Sequence, residues 1–201
     1  IFSGRGLQLL VALPPEGMAY DHVGLAAAAD ALILMSYDEH TEKGRSGPLA
    51  SQGWFETVLA QHLKNIPADK LIVSVGSYGY DWPQGKAAQE ISVQEAWELL
   101  EESRASLSFD AKSLNPTFSY LDDAAKAQHQ VWYLDAVTAY DHIAVALPAR
   151  PKGLALWRLG TEDPSIWSVL GRGRLADGYA RNEIKTLHAG YDVLYKGKGE
   201  A

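Results

Sequence analysis

Four short runs of the chain, residues 7–13, 31–37, 70–77 and 153–159, are apolar at nearly every position and are bounded by Gly, Pro or Asp. A continuous apolar run, in place of every-second-residue alternation, predicts strands of a parallel sheet covered on both faces by helices. Between the runs the period changes. Residues 21–29 are Ala-rich and predict a short helix, while Trp54, Phe55, Val58, Leu59, His62 and Leu63 recur at the spacing of an amphipathic one. A third helix is predicted over 135–147. A fourth opens at Asp163-Pro164-Ser165, with Asp163 as N-cap and Pro164 in the first helical position. Strands alternating with helices define an α/β fold.

Residues 89–132 interrupt this rhythm, being too long for an ordinary strand-to-helix connection. They predict a helix over 93–102 and short strands over 106–110, 117–120 and 130–134, with turns at 114–116 and 122–123, together a small α+β insertion. After residue 170 the sequence turns rich in Gly and charge, as in Gly171-Arg172-Gly173-Arg174 and Lys196-Gly197-Lys198-Gly199-Glu200, and reads as a tail or linker. The predicted organisation is three strands with their helices in 1–88, the insertion in 89–134, the last helix, strand and following helix in 135–175, and the tail in 176–201.

At 201 residues with 47% hydrophobic content, the chain is long and apolar enough to bury a substantial core. Its formal charge of −7 and pI near 5.3 argue against a nucleic-acid partner, and no basic run offsets that balance. The longest apolar stretches, such as 9–15 and 31–35, fall far short of the ~20 residues needed to cross a bilayer. With no cysteine, disulfides, thiolate metal sites and a Cys nucleophile are excluded, and the compartment stays open. The opening Ile1-Phe2-Ser3 lacks an initiator Met and a charged-then-apolar leader, and reads as a piece of a longer or processed chain.

Chemistry in parallel βα architectures gathers at the C-terminal ends of strands. Three runs here end in polar and aromatic residues: Met35-Ser36-Tyr37-Asp38-Glu39-His40, Gly76-Ser77-Tyr78-Gly79-Tyr80-Asp81-Trp82 and Ala155-Leu156-Trp157-Arg158-Leu159-Gly160. Aromatic faces with carboxylates and a few donors suit a sugar, whose C–H faces stack on rings while its hydroxyls and amides need directional partners. Any one of these aromatics fits core packing equally well, whereas agreement of three strand ends points to a site. Adjacent strand residues face opposite ways, so Asp38 and Glu39 do not form the facing carboxylate pair of a standard glycosidase, and one of them reads as structural. Asp38 and His40 share a strand face without a third ligand, and His62 reads as a helix-face residue, so no metal or other cofactor is assigned. Gly4-Arg5-Gly6 lacks the rest of a dinucleotide fingerprint. No phosphate-binding loop or Gly-x-Ser-x-Gly elbow is present.

Met35 to His40, followed by Gly47-Pro48-Leu49-Ala50-Ser51, resembles the sixth-strand signature of glycoside hydrolase family 18, the chitinase-like TIM barrels, and is most like the bacterial branch of spore-cortex and peptidoglycan-lytic glycosidases. Ser77 to Trp82 is similar to that branch's seventh strand, and Leu156-Trp157-Arg158-Leu159-Gly160-Thr161-Glu162-Asp163-Pro164 to its eighth. The resemblance covers residues 7–170 and implies an α/β fold that is the C-terminal half, strands five to eight, of a (β/α)8 barrel with a small α+β insertion domain. Gly190-Tyr191-Asp192-Val193 and the Gly/charge tail look like the linker of multimodular polysaccharide-processing proteins.

The resemblance further implies hydrolysis of a β-1,4-linked N-acetylglucosamine polysaccharide, of chitin or peptidoglycan type, in an extracytoplasmic or cell-envelope setting. Asp38 and Tyr37 would orient the substrate's N-acetyl group, whose carbonyl oxygen acts as the nucleophile. Trp157 would floor the subsite of the cleaved sugar, with Tyr78 and Tyr80 as its walls and Met35 and Glu39 as further contacts. Arg158 is expected to pair with a carboxylate outside the pocket. The family's general acid ends an Asp-x-x-Asp-x-Asp-x-Glu motif that this sequence does not contain. Half a barrel leaves two sheet edges open, so pairing with an N-terminal half or with a second copy is expected. The alternative from a different class is a non-catalytic carbohydrate-binding or assembly module that uses the same aromatic strand ends.

Overall fold

The structure, a computed structural model, describes residues 3–16 and 19–167. The course of the predicted fourth helix past residue 167, the tail 176–201 and the linker-like Gly190-Tyr191-Asp192-Val193 lie outside those residues.

In chain order the elements are β1 (Leu10–Leu13), α1 (His22–Ala28), β2 (Ala31–Met35), α2 (Gln52–Leu63), β3 (Leu71–Gly76), β4 (Gly79–Pro83), β5 (Gln89–Ile91), α3 (Val93–Ser103), β6 (Ser108–Phe109), β7 (Pro116–Asp122), β8 (Ala127–Tyr133), α4 (Ala136–Ala146) and β9 (Gly153–Trp157). Strands β1-β2-β3-β9 form a parallel sheet in that order, and β5-β4-β8-β7-β6 form an antiparallel one. The fold is a mixed α/β fold, as the alternating pattern predicts.

The parallel sheet has two unlike faces. Leu13, Leu32, Leu34, Leu71, Val73 and Val75 point to one of them and pack on Phe55 and Leu59 of α2 and Ala139 and Ile143 of α4. Burial of side chains this size stabilises the fold by about 1.5–3 kcal/mol each. The register places Leu10, Ala12, Ile33, Met35, Ile72, Ser74, Gly76, Ala155 and Trp157 together on the opposite face. There Leu10 is 47% exposed, and Ile33 and Ile72 are only half-buried. Among the described residues, helices therefore cover one face of this sheet and not both, which differs from the expectation drawn from the continuous apolar runs. Such runs register that a face is apolar, not which element covers it.

Two boundaries also move. Residue 7 was expected to open the first strand, yet pairing starts at Leu10, because the Leu9 N–H donates to the Asp30 carboxylate and its carbonyl accepts from the Asp30 N–H. The antiparallel sheet begins at Gly79, inside the stretch 77–82 that the resemblance assigns to the same strand as residues 70–77, and it includes the unforeseen β5. The packing of β4 on β8 is close: a Cβ at Gly79 would lie 2.8 Å from Tyr133 Cβ and 3.0 Å from the Trp132 carbonyl.

Helix starts follow their caps. Asp21 accepts from Gly24 N–H, Ser92 and Glu95 form a reciprocal capping box on α3, and Asp135 accepts from Thr138 N–H on α4. Asp163, expected to cap the helix that follows, accepts from Ser165 N–H at 2.8 Å and also from Ala136 N–H at 2.9 Å, so it ties the start of α4 to the segment after β9. No helix among the described residues is long and apolar enough to cross a membrane.

Candidate active site

The parallel strands end side by side, with Met35 opposite Ser74 and Gly76 opposite Trp157. Ser77 fastens this corner: its N–H donates to the Trp157 carbonyl at 2.7 Å, its hydroxyl to the Leu134 carbonyl at 3.3 Å, and its hydroxyl oxygen accepts from Asp163 N–H at 3.1 Å. Strands β3 and β9 are thereby locked to the residue that follows β8. The chain then passes from one sheet into the other within two residues, and this carries Tyr78 and Tyr80 back towards the end of β2.

Strand β2 stops at Met35, and the backbone turns sharply at Asp38, which adopts the left-handed conformation at φ 66°. Few residues other than Gly accept that conformation, and Asp is one that does. Because of this turn, strand alternation does not govern residues 38–40, contrary to the expectation that Asp38 and His40 share a strand face. Asp38 Oδ1 accepts the hydroxyl hydrogen bond of Tyr78 and, at 3.3 Å, that of Tyr80. No hydrogen bond to Oδ2 is seen among the described residues, so the carboxylate is fixed through one oxygen and presents the other.

Around this carboxylate the aromatic rings form a wall. Tyr37 meets Tyr78 edge-on at 6.1 Å and stacks on Trp157 at 6.0 Å with 21° between planes. Tyr78 meets Tyr80 at 5.6 Å, and Tyr80 meets Trp82 at 5.3 Å. Trp157 is the open member, 46% exposed, whereas Tyr37, Tyr78 and Tyr80 are buried. Burial raises the pKa of all three tyrosine hydroxyls, and the Asp38 charge adds to it, so they stay protonated donors. Met35, half-buried, packs against this cluster from the end of β2.

Glu39 is brought elsewhere. Its Oε2 accepts from Ser51 N–H at 2.6 Å and its own N–H donates to the Leu49 carbonyl at 2.8 Å, closing the loop that leads to α2. His40 bonds the Pro48 carbonyl through Nδ1 at 2.8 Å inside the same loop, against Gly47, where a Cβ would come within 2.6 Å of the ring. Arg158 pairs with Glu90 at 2.5 Å on the surface. His62 is buried on α2 with Nδ1 2.8 Å from the Val58 carbonyl. No group of three metal-ligating side chains is found among the described residues.

The sequence reading missed two supports of this site. Asn115, from the segment before β7, clamps Ala50 by donating from Nδ2 to its carbonyl at 3.0 Å and accepting from its N–H at 3.3 Å. Asp81, on the other face of β4, bonds His129 Nδ1 at 2.9 Å and accepts from the Tyr120 hydroxyl at 2.7 Å. Neither has a signature in local sequence, since each partner lies 39 or more residues away.

The ends of the parallel strands thus bring together a carboxylate, tyrosine hydroxyls and an exposed tryptophan, and the chain is similar to known glycosylases and chitinases. The chain is 33% identical over 156 residues to an uncharacterized glycosylase, YvbX, of Bacillus subtilis, covering 77% of this chain and 45% of that protein. It is 27% identical over 184 residues to the cortical fragment-lytic enzyme of the same organism, covering 85% of this chain and 42% of that one. Among solved structures, a chitinase from Chromobacterium violaceum matches with a TM-score of 0.78 and 29% identity, covering 86% of this chain and 57% of that one. The spore cortex-lytic enzyme SleL of Bacillus megaterium matches at 0.74 and 26%, covering 89% and 42%. No family model matches the chain. The chain thus spans less than half the length of the curated relatives named here, and its resemblance is to the C-terminal half of family 18 glycoside hydrolases of the cortex-lytic and chitinase type.

Proposed function

We propose that this chain forms part of a glycoside hydrolase acting on a β-1,4-linked N-acetylglucosamine polysaccharide, of chitin or peptidoglycan type. The observation that carries this reading is Asp38, held through Oδ1 by Tyr78 and Tyr80 next to the stacked Tyr37–Trp157 pair. Trp157 floors the sugar site, with Tyr78 and Tyr80 behind it. Asp38 Oδ2 accepts the acetamido N–H, and the Tyr37 hydroxyl steadies the acetamido carbonyl group. That carbonyl oxygen attacks the anomeric carbon as the glycosidic C–O bond breaks and its electron pair leaves with the departing oxygen. A carboxylic acid outside the residues assigned here protonates that oxygen. Water, giving up a proton to that same group, now a carboxylate, then attacks the anomeric carbon as the bond to the acetamido oxygen breaks. This restores the acetamide and the acid with retention of configuration. Asp38 favours the transition state because positive charge develops on the cyclised acetamido group beside a fixed anion.

On this reading the four parallel strands are strands five to eight of a (β/α)8 barrel, and residues 89–134 are an insertion walling the cleft. The half-exposed apolar face carrying Leu10, Ile33 and Ile72 supports this, since the interior of such a barrel is filled with apolar side chains. Edge strands β1 and β9 would then continue into the rest of a barrel, supplied by an N-terminal half or a second copy.

The test is turnover of a β-1,4-N-acetylglucosamine oligomer by the full-length protein and by its Asp38→Asn variant. The variant is expected to lose about 10²–10³ in kcat while still binding the oligomer. Binding by the unaltered protein with no turnover would replace hydrolysis by the carbohydrate-binding reading.

A further inference from the structure

Beyond Trp82, away from Asp38, lies an open cavity of about 870 Å³. It continues the site along one face of the antiparallel sheet. Tyr80 lies opposite Trp132 and Trp82 opposite Gln130, so these side chains and the ring next to Asp38 share that face with Gln128, two residues along β8. The loops at 43–46 and 83–87 bank the cavity, tied down by the hydrogen bonds from Ser46 to Gln130 at 2.6 Å and from Ala88 N–H to the Glu42 carbonyl at 2.8 Å.

The charge of its lining runs against that of the molecule. The chain has 25 acidic and 18 basic residues, yet the lining contains Lys43, Arg45 and Lys86 and no Asp or Glu. All three cations are exposed, and Arg45 makes no ion pair among the described residues. The acidic groups near them lie outside the lining: Glu42, 3.7 Å from Lys43 in an exposed pair, and Asp122, within range of Lys86. An exposed pair of that kind holds its cation only weakly. Three cations on a cleft that also offers the Trp82 ring and three amide side chains, Gln84, Gln128 and Gln130, fit an anion carried on a sugar chain.

We propose that this cavity receives a carboxylate-bearing substituent of the glycan, so that the site prefers an acidic N-acetylated polysaccharide to neutral chitin. This deepens the glycosidase reading and rests on it. The three cations are separated in sequence by up to 43 positions and come together only because β4 carries its loop back over the turn after β2.

The experiment compares binding of two tetrasaccharides to the full-length protein by titration calorimetry: neutral β-1,4-N-acetylglucosamine tetramer, and the same backbone with a lactyl ether carboxylate on alternate sugars, with and without an attached peptide. The acidic tetramer is expected to bind about tenfold tighter at low salt, an advantage that shrinks as salt rises. The Lys43→Gln, Arg45→Gln, Lys86→Gln triple variant is expected to bring its affinity down to that of the neutral one. A preference confined to the peptide-bearing form supports the proposal and locates the carboxylate on the peptide. Equal affinity for the neutral and acidic forms, or a preference that survives in the triple variant, overturns the proposal and leaves the glycosidase reading intact. Failure of every tetrasaccharide to bind overturns both.

Discussion

Tyr78 donates its hydroxyl to Oδ1 of Asp38, forty residues away in sequence, and it does so from a position that is 1% exposed. The bond joins the two-residue link between the sheets to the turn that follows β2. The orientation of the candidate catalytic carboxylate is thus set from outside the parallel sheet.

Tyr78→Phe removes that donor and leaves Asp38 Oδ1 with the longer bond from Tyr80 at 3.3 Å. Loss of a buried bond to a charged group is expected to cost about 1.5–3 kcal/mol of stability. Turnover by the full-length protein is expected to fall about tenfold more than binding does. Denaturant unfolding and a separation of kcat from KM check both.

Gly76→Ala is expected to be damaging despite adding a single methyl group. Its Cβ would sit 2.6 Å from Leu134 Cδ1, 3.0 Å from Tyr78 Cε1 and 3.3 Å from Tyr37 Cβ, so two residues of the site must move. Overpacking of this kind costs about 1–3 kcal/mol. A urea transition unchanged in midpoint would contradict the close approach.

At alkaline pH the tyrosines supply a second test. Burial raises the hydroxyl pKa of Tyr37, Tyr78, Tyr80 and Tyr120 above the usual 10.0, with nearby carboxylates adding to it. Their contribution to stability is therefore complete below pH 10 and is lost as pH rises beyond it, because the unfolded chain releases these protons first. Tyrosinate absorbance of the folded protein just above pH 10 is expected to fall short of all ten tyrosines, the remainder appearing on unfolding.

The acid limb has a separate origin. His142 is fully buried, stacks on Phe55 at 4.2 Å with 4° between planes, and has its pKa pushed down to about 3 by burial. Burial lowers that of His62 as well. These groups stabilise the fold above their usual pKa of 6.5, and the contribution is lost as pH falls from there towards 3. His142→Phe keeps a stacked ring and removes one titration, so the stability slope over this range is expected to lessen by up to ~1.4 kcal/mol per pH unit. Unfolding curves at a series of pH values measure it.

What the sequence disclosed was mostly local. Strand β3 and helix α3 were legible because the apolar run of Leu71–Gly76 and the period of Val93–Ser103 coincide with their own boundaries. Tyr37, Asp38, Tyr78, Tyr80 and Trp157 were legible as a group because strand ends converge in a parallel sheet. Strand β4 was not, since its polar Asp81 is buried by His129 and Tyr120 from β8 and β7, a pairing that no local pattern encodes. The turn at Asp38 was hidden because the left-handed conformation of a non-Gly residue depends on the partners its side chain finds. The cationic cavity was hidden for a like reason, its three charges being gathered from two loops.

The central claim, that Asp38 acts on the substrate's acetamido group, is tested most directly by giving the full-length protein two matched oligomers, one N-acetylated and one with free amines. Cleavage of the acetylated oligomer with retained anomeric configuration, and none of the free-amine oligomer, is the result this account predicts. Equal cleavage of both, or cleavage with inversion, would contradict it, because neither leaves the acetamido carbonyl as the nucleophile.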